Sequence, residues 1–259
     1  MEITILSERE LAEYIENKNF PSFWNVLANN CTQWVIEASA QPFWQQAEEK
    51  LKEWSDEYKD MTGYPLLTQF SLPAFTAKPI ASIQDKLFRQ YQEYSGMNGK
   101  HDAFQSSIVD IASRLHDLVR TRISCKYIDG AEFLATKFSQ LAKDMNCYDE
   151  RERKSQLRGY FAQHVVISIN TTFRNGNQSL SLSIKCEIQI ASELATQMWD
   201  ATHDLYKQLR VKHTPNESWE WDAQSPQFIA EQLGHVIHLA DGLLVRLREQ
   251  LKSELHHSC

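Results

Sequence analysis

Two alternating runs that meet at Asn175-Gly176 restrict the fold of this chain more than any other feature. Before the turn, Val165, Ile167, Ile169, Thr171 and Phe173 alternate with His164, Val166, Ser168 and Asn170. After it, Leu180, Leu182, Ile184, Cys186, Ile188 and Ile190 alternate with Ser181, Ser183, Lys185, Glu187 and Gln189. A period of two puts one set on a dry face of a sheet and the other on a polar face. Asn-Gly is a strong hairpin-turn dipeptide, although the loop can exceed two residues. The pattern predicts a long β-hairpin over 163–190. Thr121, Ile123, Cys125 and Tyr127 alternate with Arg120, Arg122, Ser124 and Lys126 in the same way, which predicts another half-buried strand.

Most of the remaining chain reads as helix. Residues 7–60 open with a capping-box sequence, Ser7-Glu8-Arg9-Glu10, and Pro21 and Pro42 divide the segment into two or three helices. Trp24, Leu27, Trp34, Phe43, Trp44 and Trp54 give it an aromatic packing face. A break from Gly63 to Pro79 follows, then predicted helices at 80–95, 102–119 and 130–145, a charged loop from Asp149 to Arg158, and a helix at 192–210. The final helix, 226–253, aligns Phe228, Leu233, Val236, Ile237, Ala240, Leu244, Leu247 and Leu251 on one face. The expected organisation is a helical N-terminal extension (1–65), a mixed α/β domain (66–215) and a C-terminal helix packed on it (216–259).

Only 8 Gly and 7 Pro in 259 residues disfavour a turn-rich all-β fold and any long disordered linker. A net charge of −7 argues against bulk nucleic acid as a default partner, while leaving room for a local basic pocket. Five cysteines with no CxxC pair suggest neither a disulfide framework nor a zinc ribbon. The tail His256-His257-Ser258-Cys259 reads as a frayed end, not a metal site. No signal peptide and no membrane-spanning apolar run is present, so the expectation is a cytoplasmic protein with no membrane partner.

The polar face of the sheet carries the chemistry. Arg122 and Lys126 on one strand and Glu187 and Gln189 on another place cations beside a carboxylate, which suits a metal–phosphate site as well as it suits a solvated outer face. His116-Asp117 and His203-Asp204 are the dipeptides of metal phosphohydrolases, but those enzymes are all-helical and His116-Asp117 leads into a strand. No Walker A loop, GxGxxG, HExxH or GxSxG occurs.

Five segments, in order, resemble the synthetase domain of the RelA/SpoT family of alarmone synthetases. Lys78, Ser82, Ile83 and Lys86 resemble the RxKxxxSIxxK segment, and Arg114 to Arg122 resembles RxxDLxGxR. Gly159-Tyr160-Phe161-Ala162-Gln163-His164 resembles GYxSxH, and Glu187 to Ser192 resembles ExQIRT. Trp199 to Lys207 resembles the WxEIxHDLxYK helix, one residue short. The resemblance covers about 75–210. It implies a nucleotidyltransferase-like mixed sheet flanked by helices, and transfer of pyrophosphate from ATP to the 3′-hydroxyl of an acceptor nucleotide.

By the same resemblance, Asp117 and Glu187 hold Mg²⁺ (or Mn²⁺), and Glu187 also orients or deprotonates the attacking hydroxyl. Lys78, Ser82, Lys86, Arg114 and Arg122 grip the ATP phosphates, Arg122 counting among the catalytic groups. Tyr160 stacks on the acceptor base, and His164, Gln189, Lys154, Arg158 and His203 line the acceptor side. Several positions depart from the family: Thr76 and Ala191 stand for Arg, Gln156 for Lys, Ala162 for Ser, and Arg120 fills a small position. These fall mainly on the acceptor side and leave open a guanosine (GDP/GTP) or adenosine nucleotide. Two alternatives stay beside that reading: a toxin pyrophosphorylating tRNA 3′-CCA ends, and an inactive nucleotide-binding relic. Self-association also stays open.

Overall fold

The computed structural model of the chain describes residues 5–6, 21–98, 106–155, 159–211 and 219–257. The capping-box residues, Gln156 and Arg158 lie outside them, as do Ser258 and Cys259 of the tail. In chain order the elements are β1 (Ile5–Leu6), α1 (Pro21–Ser39), α2 (Pro42–Thr62), β2 (Thr76–Ala77), α3 (Ile80–Asn98), β3 (Ser106–Ser107), α4 (Ile108–Arg114) and β4 (Val119–Cys125). There follow α5 (Ile128–Asp144), β5 (Tyr148–Ser155), β6 (Phe161–Asn175), β7 (Gln178–Ser192), α6 (Glu193–Val211), a short 3₁₀ turn (Trp219–Trp221) and α7 (Pro226–His257).

Five strands form one mixed sheet in the order β2-β4-β7-β6-β5, with β4 and β7 parallel and the other pairs antiparallel. The predicted hairpin is β6–β7, and it is longer than the pattern alone gives. Asn175 pairs with Gln178, so the loop is the two residues Gly176-Asn177, and Gly176 has a φ of 57° that favours glycine. Pro21 and Pro42 each stand at the first position of a helix, where the missing N–H costs no hydrogen bond.

The dry face of the sheet meets α1, α2 and α5 in one hydrophobic core. Trp34, Leu27, Phe138, Ile188 and Val165 are fully buried there. Phe138 is the hub, with Phe43, Trp44 and Trp54 rings 5.5–6.1 Å away. The aromatic residues of the first two described helices therefore serve packing, as the sequence suggests. On the polar face, α6 runs beside β4. Ser124 Oγ hydrogen-bonds to Thr196 Oγ1 at 3.1 Å, Arg122 reaches Asp200 at 2.6 Å, and Lys126 reaches Glu193 at 3.0 Å.

Two segments differ from the sequence reading. The helix expected over 102–119 is only α4, Ile108–Arg114; Leu118 and Val119 are recruited by the sheet, where Leu118 O accepts from Lys78 N (2.8 Å) and Val119 pairs with Ala77. His116-Asp117 thus lies in a turn between helix and strand. The charged loop expected from Asp149 is the edge strand β5. Its Asp-Glu-Arg-Glu-Arg-Lys run conceals the alternation because an edge strand tolerates, and benefits from, charges on both faces. A register shift between Tyr148 and Glu150 obscures it further.

The C-terminal helix makes its contacts through its polar side. Glu231, Gly234, Asp241 and Arg248 are buried, while Leu233, Val236, Leu244, Leu247 and Leu251 of the predicted apolar face are exposed. Arg248 is paired with Asp129, bonds to Tyr58 Oη at 3.0 Å, and lies 5.1–5.9 Å from the Tyr58, Tyr64 and Tyr127 rings. Asp241 accepts from the Ile128 N–H at 3.3 Å, at the start of α5. Gly234 meets Gly159 backbone to backbone: a Cβ on Gly234 would fall 2.4 Å from Gly159 O, and one on Gly159 would fall 2.6 Å from Glu231 O. Among the described residues no helix is long and apolar enough to cross a membrane.

Candidate active site

Lys78 follows β2 directly, and Lys86 lies on the second turn of α3, one turn beyond the half-buried Ser82. Both ammonium groups converge on Asp117, in the turn before β4: Lys78 pairs with Oδ2, and Lys86 donates to Oδ1 at 2.9 Å. Asp117 is 9% exposed. Burial alone would raise its pKa, but the two ammonium groups outweigh it and hold the carboxyl well below the usual range. Lys78 is pushed down from the ordinary lysine value, first by its own burial, with Asp117 opposing and Lys86 and Arg120 adding repulsion. The result is a buried carboxylate clasped by two cations that α3 and the β2–α3 junction bring from sequence positions 39 and 31 residues away.

The second cluster is set by strand register. Glu187 on β7 stands beside Arg120 on β4, and Gln189 stands between Arg122 on β4 and His164 on β6. A direct pairing puts these side chains on one face in rows, which is why three strands far apart in sequence meet here. Gln189 Nε2 donates to Glu187 Oε1 at 2.6 Å, and His164 Nδ1 lies 3.0 Å from Glu187 Oε2. Tyr160 Oη and His164 Nε2 are 3.1 Å apart. A proton on Nδ1 facing the carboxylate leaves Nε2 to accept from the tyrosine hydroxyl, which gives all three groups a partner. Glu187 is also held below the ordinary glutamate value: burial raises it, but the contacts with His164 and Gln189 outweigh burial, and Asp117 adds a small opposing push. That mutual influence puts the two carboxylates in one electrostatic neighbourhood. Burial, then the Glu187 charge, pushes the Tyr160 hydroxyl up, so it remains protonated.

The remaining predicted residues are placed less centrally. Arg122 is half-buried and engaged by Asp200 of α6. Arg114 is exposed at the end of α4, where its Nε reaches Asp110 O at 3.4 Å. Lys154 pairs with Glu152 on the edge strand, and Arg151 and Arg153 both pair with Glu132 of α5. His203 lies on α6 with its ring 5.3 Å from Trp199. Trp199 is the residue that sequence reasoning left without a role: its ring is 4.7 Å from Tyr160. Its signal was its place at the head of the fifth segment. Ala162 and Ala191 adjoin the Gln163–Ile190 pair at the end of the β6–β7 ladder, and Ala162 stands opposite Lys154 on β5. With Lys154, Phe161, Ser192 and His238 they line a cavity of about 190 Å³.

A further group was not foreseen. His116 Nδ1 lies 2.7 Å from Glu150, and Lys185 lies 3.2 Å from His116 Nε2 and 2.8 Å from Asp149. His116, Asp149 and Glu150 are close enough to share an ion, and the Lys185 ammonium already offsets one of the two carboxylate charges. Asp117 and Glu187 fit a divalent cation differently. They are two ionised, hard oxygen donors that feel one another electrostatically, and Mg²⁺ beside a polyphosphate is held by one or two carboxylates with the remaining positions filled by phosphate oxygens and water.

No protein-family model matches the chain, and no curated protein matches it in sequence. Solved structures do match in shape. A GTP pyrophosphokinase family protein from Streptococcus pneumoniae superposes with a TM-score of 0.51 at 16% identity, covering 89% of this chain and 95% of that one. Small alarmone synthetase 2 from Bacillus subtilis gives 0.46 at 15% identity, covering 89% and 99%. Small alarmone synthetase 1 from the same organism, bound to its product pppGpp, gives 0.44 at 16%, covering 85% and 99%. The first of these shows the fold that the chain shares: a mixed sheet flanked by helices, as in that GTP pyrophosphokinase family protein.

Proposed function

We propose that this chain transfers the β,γ-pyrophosphoryl group of ATP to the 3′-hydroxyl of a second nucleotide. The observation that carries the reading is the presence of two buried clusters that feel one another electrostatically: a cationic clasp around Asp117, and a carboxylate, Glu187, tied to His164 and Tyr160. The first matches what a triphosphate needs, the second what a hydroxyl nucleophile needs.

In this mechanism Lys78 and Lys86 exchange part of their contact with Asp117 for the β- and γ-phosphate oxygens, with Ser82 and Arg122 alongside. Asp117 and Glu187 would hold Mg²⁺, which would offset the phosphate charge. Glu187 accepts the proton of the 3′-hydroxyl as its oxygen bonds to the β-phosphorus; the bond from that phosphorus to the α,β-bridging oxygen breaks, and AMP leaves. Gln189 and His164 fix the carboxylate, and Tyr160 fixes His164. The acceptor base packs against the Tyr160–Trp199 pair. Stacking accepts any base, so guanosine and adenosine acceptors are both compatible with it.

The internal pairing of Arg151, Arg153 and Lys154 weighs against tRNA as acceptor, because Glu132 and Glu152 offset most of the positive charge of this group. The test is incubation of the pure protein with labelled ATP, Mg²⁺ and, separately, GDP, GTP, AMP, ADP or deacylated tRNA. A labelled 3′-pyrophosphorylated mononucleotide together with AMP is expected. Label on tRNA alone, or no transfer to any acceptor, would sink the proposal.

Tyr160 offers a finer measurement. Tyr160→Ala is expected to lose acceptor turnover by roughly 1–3 kcal/mol of lost stacking while ATP affinity holds. Tyr160→Phe keeps the ring but leaves His164 Nε2 without its partner, a cost of about 1 kcal/mol, or roughly fivefold in turnover. ATP titration and acceptor kinetics measured separately on both variants check this. Unchanged turnover in Tyr160→Ala would return the ring to a packing role.

A further inference from the structure

The cavity of about 190 Å³ at the ends of β5, β6 and β7 is left unused by the reaction proposed above. Gln163 pairs across the hairpin with Ile190 of the core, so the two share the face of the sheet that α5 covers. His164 pairs with Gln189 on the other face. Phe161 and Gln163 therefore turn toward α5 and α7, where Ala131 and His238 border the cavity, while Tyr160 and His164 turn toward Glu187. The space exists because Ala131, Ala162 and Ala191 bring only methyl groups to its border. Its far wall is flat: the His238 ring lies parallel to that of Phe161, 3.6 Å away and inclined by 8°. Burial pushes the His238 imidazole below its ordinary value, which keeps this wall uncharged at neutral pH. The Gly159–Gly234 contact fixes α7 one turn before His238, so the wall belongs to the rigid frame.

The mouth has the opposite character. Arg151 and Arg153 of β5 both pair with Glu132 of α5, at 2.7 and 2.8 Å, and Gln163 Nε2 donates to the same carboxylate at 2.7 Å. Two guanidinium groups against one carboxylate leave one positive charge over. Arg153, whose side chain is 73% exposed, presents it at the rim. Lys154 beside it is matched by Glu152.

We propose that this cavity binds a small organic anion built on a single ring, a carboxylate or a phosphate monoester, with the ring between the alanines and the Phe161–His238 wall and the charge on Arg153. Size selects one ring. An apolar cavity of about 150 Å³ takes up one benzene, and the space here exceeds that only by room for a short substituent reaching the mouth. A nucleotide, with base and ribose together, is too large. Charge selects the anion, because Glu132 is already shared and a second negative group is what the two arginines lack. The proposal is independent of the reaction assigned above.

The test is ligand-detected NMR titration of the full chain with four probes, each to about 10 mM, the weak end of specific binding. Benzoate and phenyl phosphate carry ring and charge, benzyl alcohol the ring alone, and inorganic phosphate the charge alone. At least one of the first two is expected to bind about tenfold or more tighter than either of the last two, and which one binds separates a carboxylate from a phosphate ligand. Ala131→Leu fills the cavity and is expected to weaken that binding about tenfold or more. Arg153→Gln is expected to weaken it about three- to tenfold, since an exposed charge is partly screened. No binding of either ring anion would overturn the proposal. So would benzyl alcohol matching benzoate, or inorganic phosphate matching phenyl phosphate, because ring and charge would then not act together. Wild-type affinity in either folded variant would place the ligand elsewhere and overturn it as well. Should Ala131→Leu misfold, Arg153→Gln, on the exposed rim, decides alone.

Discussion

Glu187→Gln is expected to fold as the wild type does and to lose pyrophosphate transfer by about 10²–10⁴-fold, the range a positioned general base contributes. The fold survives because the amide occupies the same space in a row already supplied with partners. Its oxygen can accept from Gln189 Nε2, and its NH₂ can donate to a His164 tautomer with Nδ1 free. What disappears is the negative charge that accepts the hydroxyl proton and helps hold the cation. ATP affinity, read by titration, should fall much less than turnover, because the lysine clasp is untouched. Glu187 is held below the ordinary glutamate value, so the wild-type enzyme should keep this group ionised through the neutral and mildly acidic range. Its acid limb should appear only below the usual glutamate range and be absent from the residual activity of the variant. Near-full transfer by Glu187→Gln with Mg²⁺ present would remove Glu187 from the mechanism.

Asp117→Ala is expected to damage both activity and stability. Asp117 lies on the polar face, which from sequence alone suggests a harmless truncation. The structure instead places it, among the described residues, as the carboxylate that both Lys78 and Lys86 engage, with the Lys78 side chain 10% exposed. Removing one member of a buried pair leaves its partner's charge uncompensated, at a cost of about 3–5 kcal/mol. For a chain of this size that lowers Tm by about 10 °C. Asp117→Asn should behave similarly without creating a cavity. The pH dependence distinguishes charge from packing. In the wild type the aspartate pKa is lowered on folding, so its stabilisation is present above the unfolded value of about 3.9 and is lost as pH falls toward the folded value. In the variant, Lys78 has no counter-charge and its already lowered pKa falls further, so the unfolded state binds more protons than the folded one. The deficit of the variant should therefore shrink as pH rises toward the lysine range. A deficit independent of pH by thermal or urea unfolding would assign the loss to packing alone.

The parts of this molecule that were legible in its sequence are those governed by a single period. The β6–β7 hairpin, strand β4 and the long helices each bury one face, and burial writes itself as alternation or as a 3.6-residue step. The edge strand β5 was not legible because its side chains answer to neighbours on both faces: Arg151 and Arg153 reach Glu132, while Lys154 reaches Glu152. The candidate site was legible only as ordered fragments. That Lys78, Lys86 and Asp117 close on one another depends on the turn at His116-Asp117 and on the Lys78–Leu118 backbone bond. That Tyr160, His164 and Glu187 form a chain depends on the β6–β7 register, in which His164 faces Gln189 and lies diagonal to Glu187. The inward side of α7 was not legible, because the groups buried there, Glu231, Gly234, Asp241 and Arg248, do not form an apolar stripe.

The contact between Gly159 and Gly234 acts as a registration pin. Both residues already have the smallest possible side chain, so no enlargement at one can be accommodated by shrinking the other. Sliding α7 by one turn would bring Ala230 or His238 to the spot where Gly159 sits, and either would drive a Cβ into its backbone. The helix therefore has one permitted axial setting, fixed beside the tyrosine that ends the preceding loop. Any related chain that keeps this packing must have glycine at both places at once. Two glycines 75 positions apart, too plain to draw notice individually, become a paired landmark for aligning sequences too divergent to align by identity.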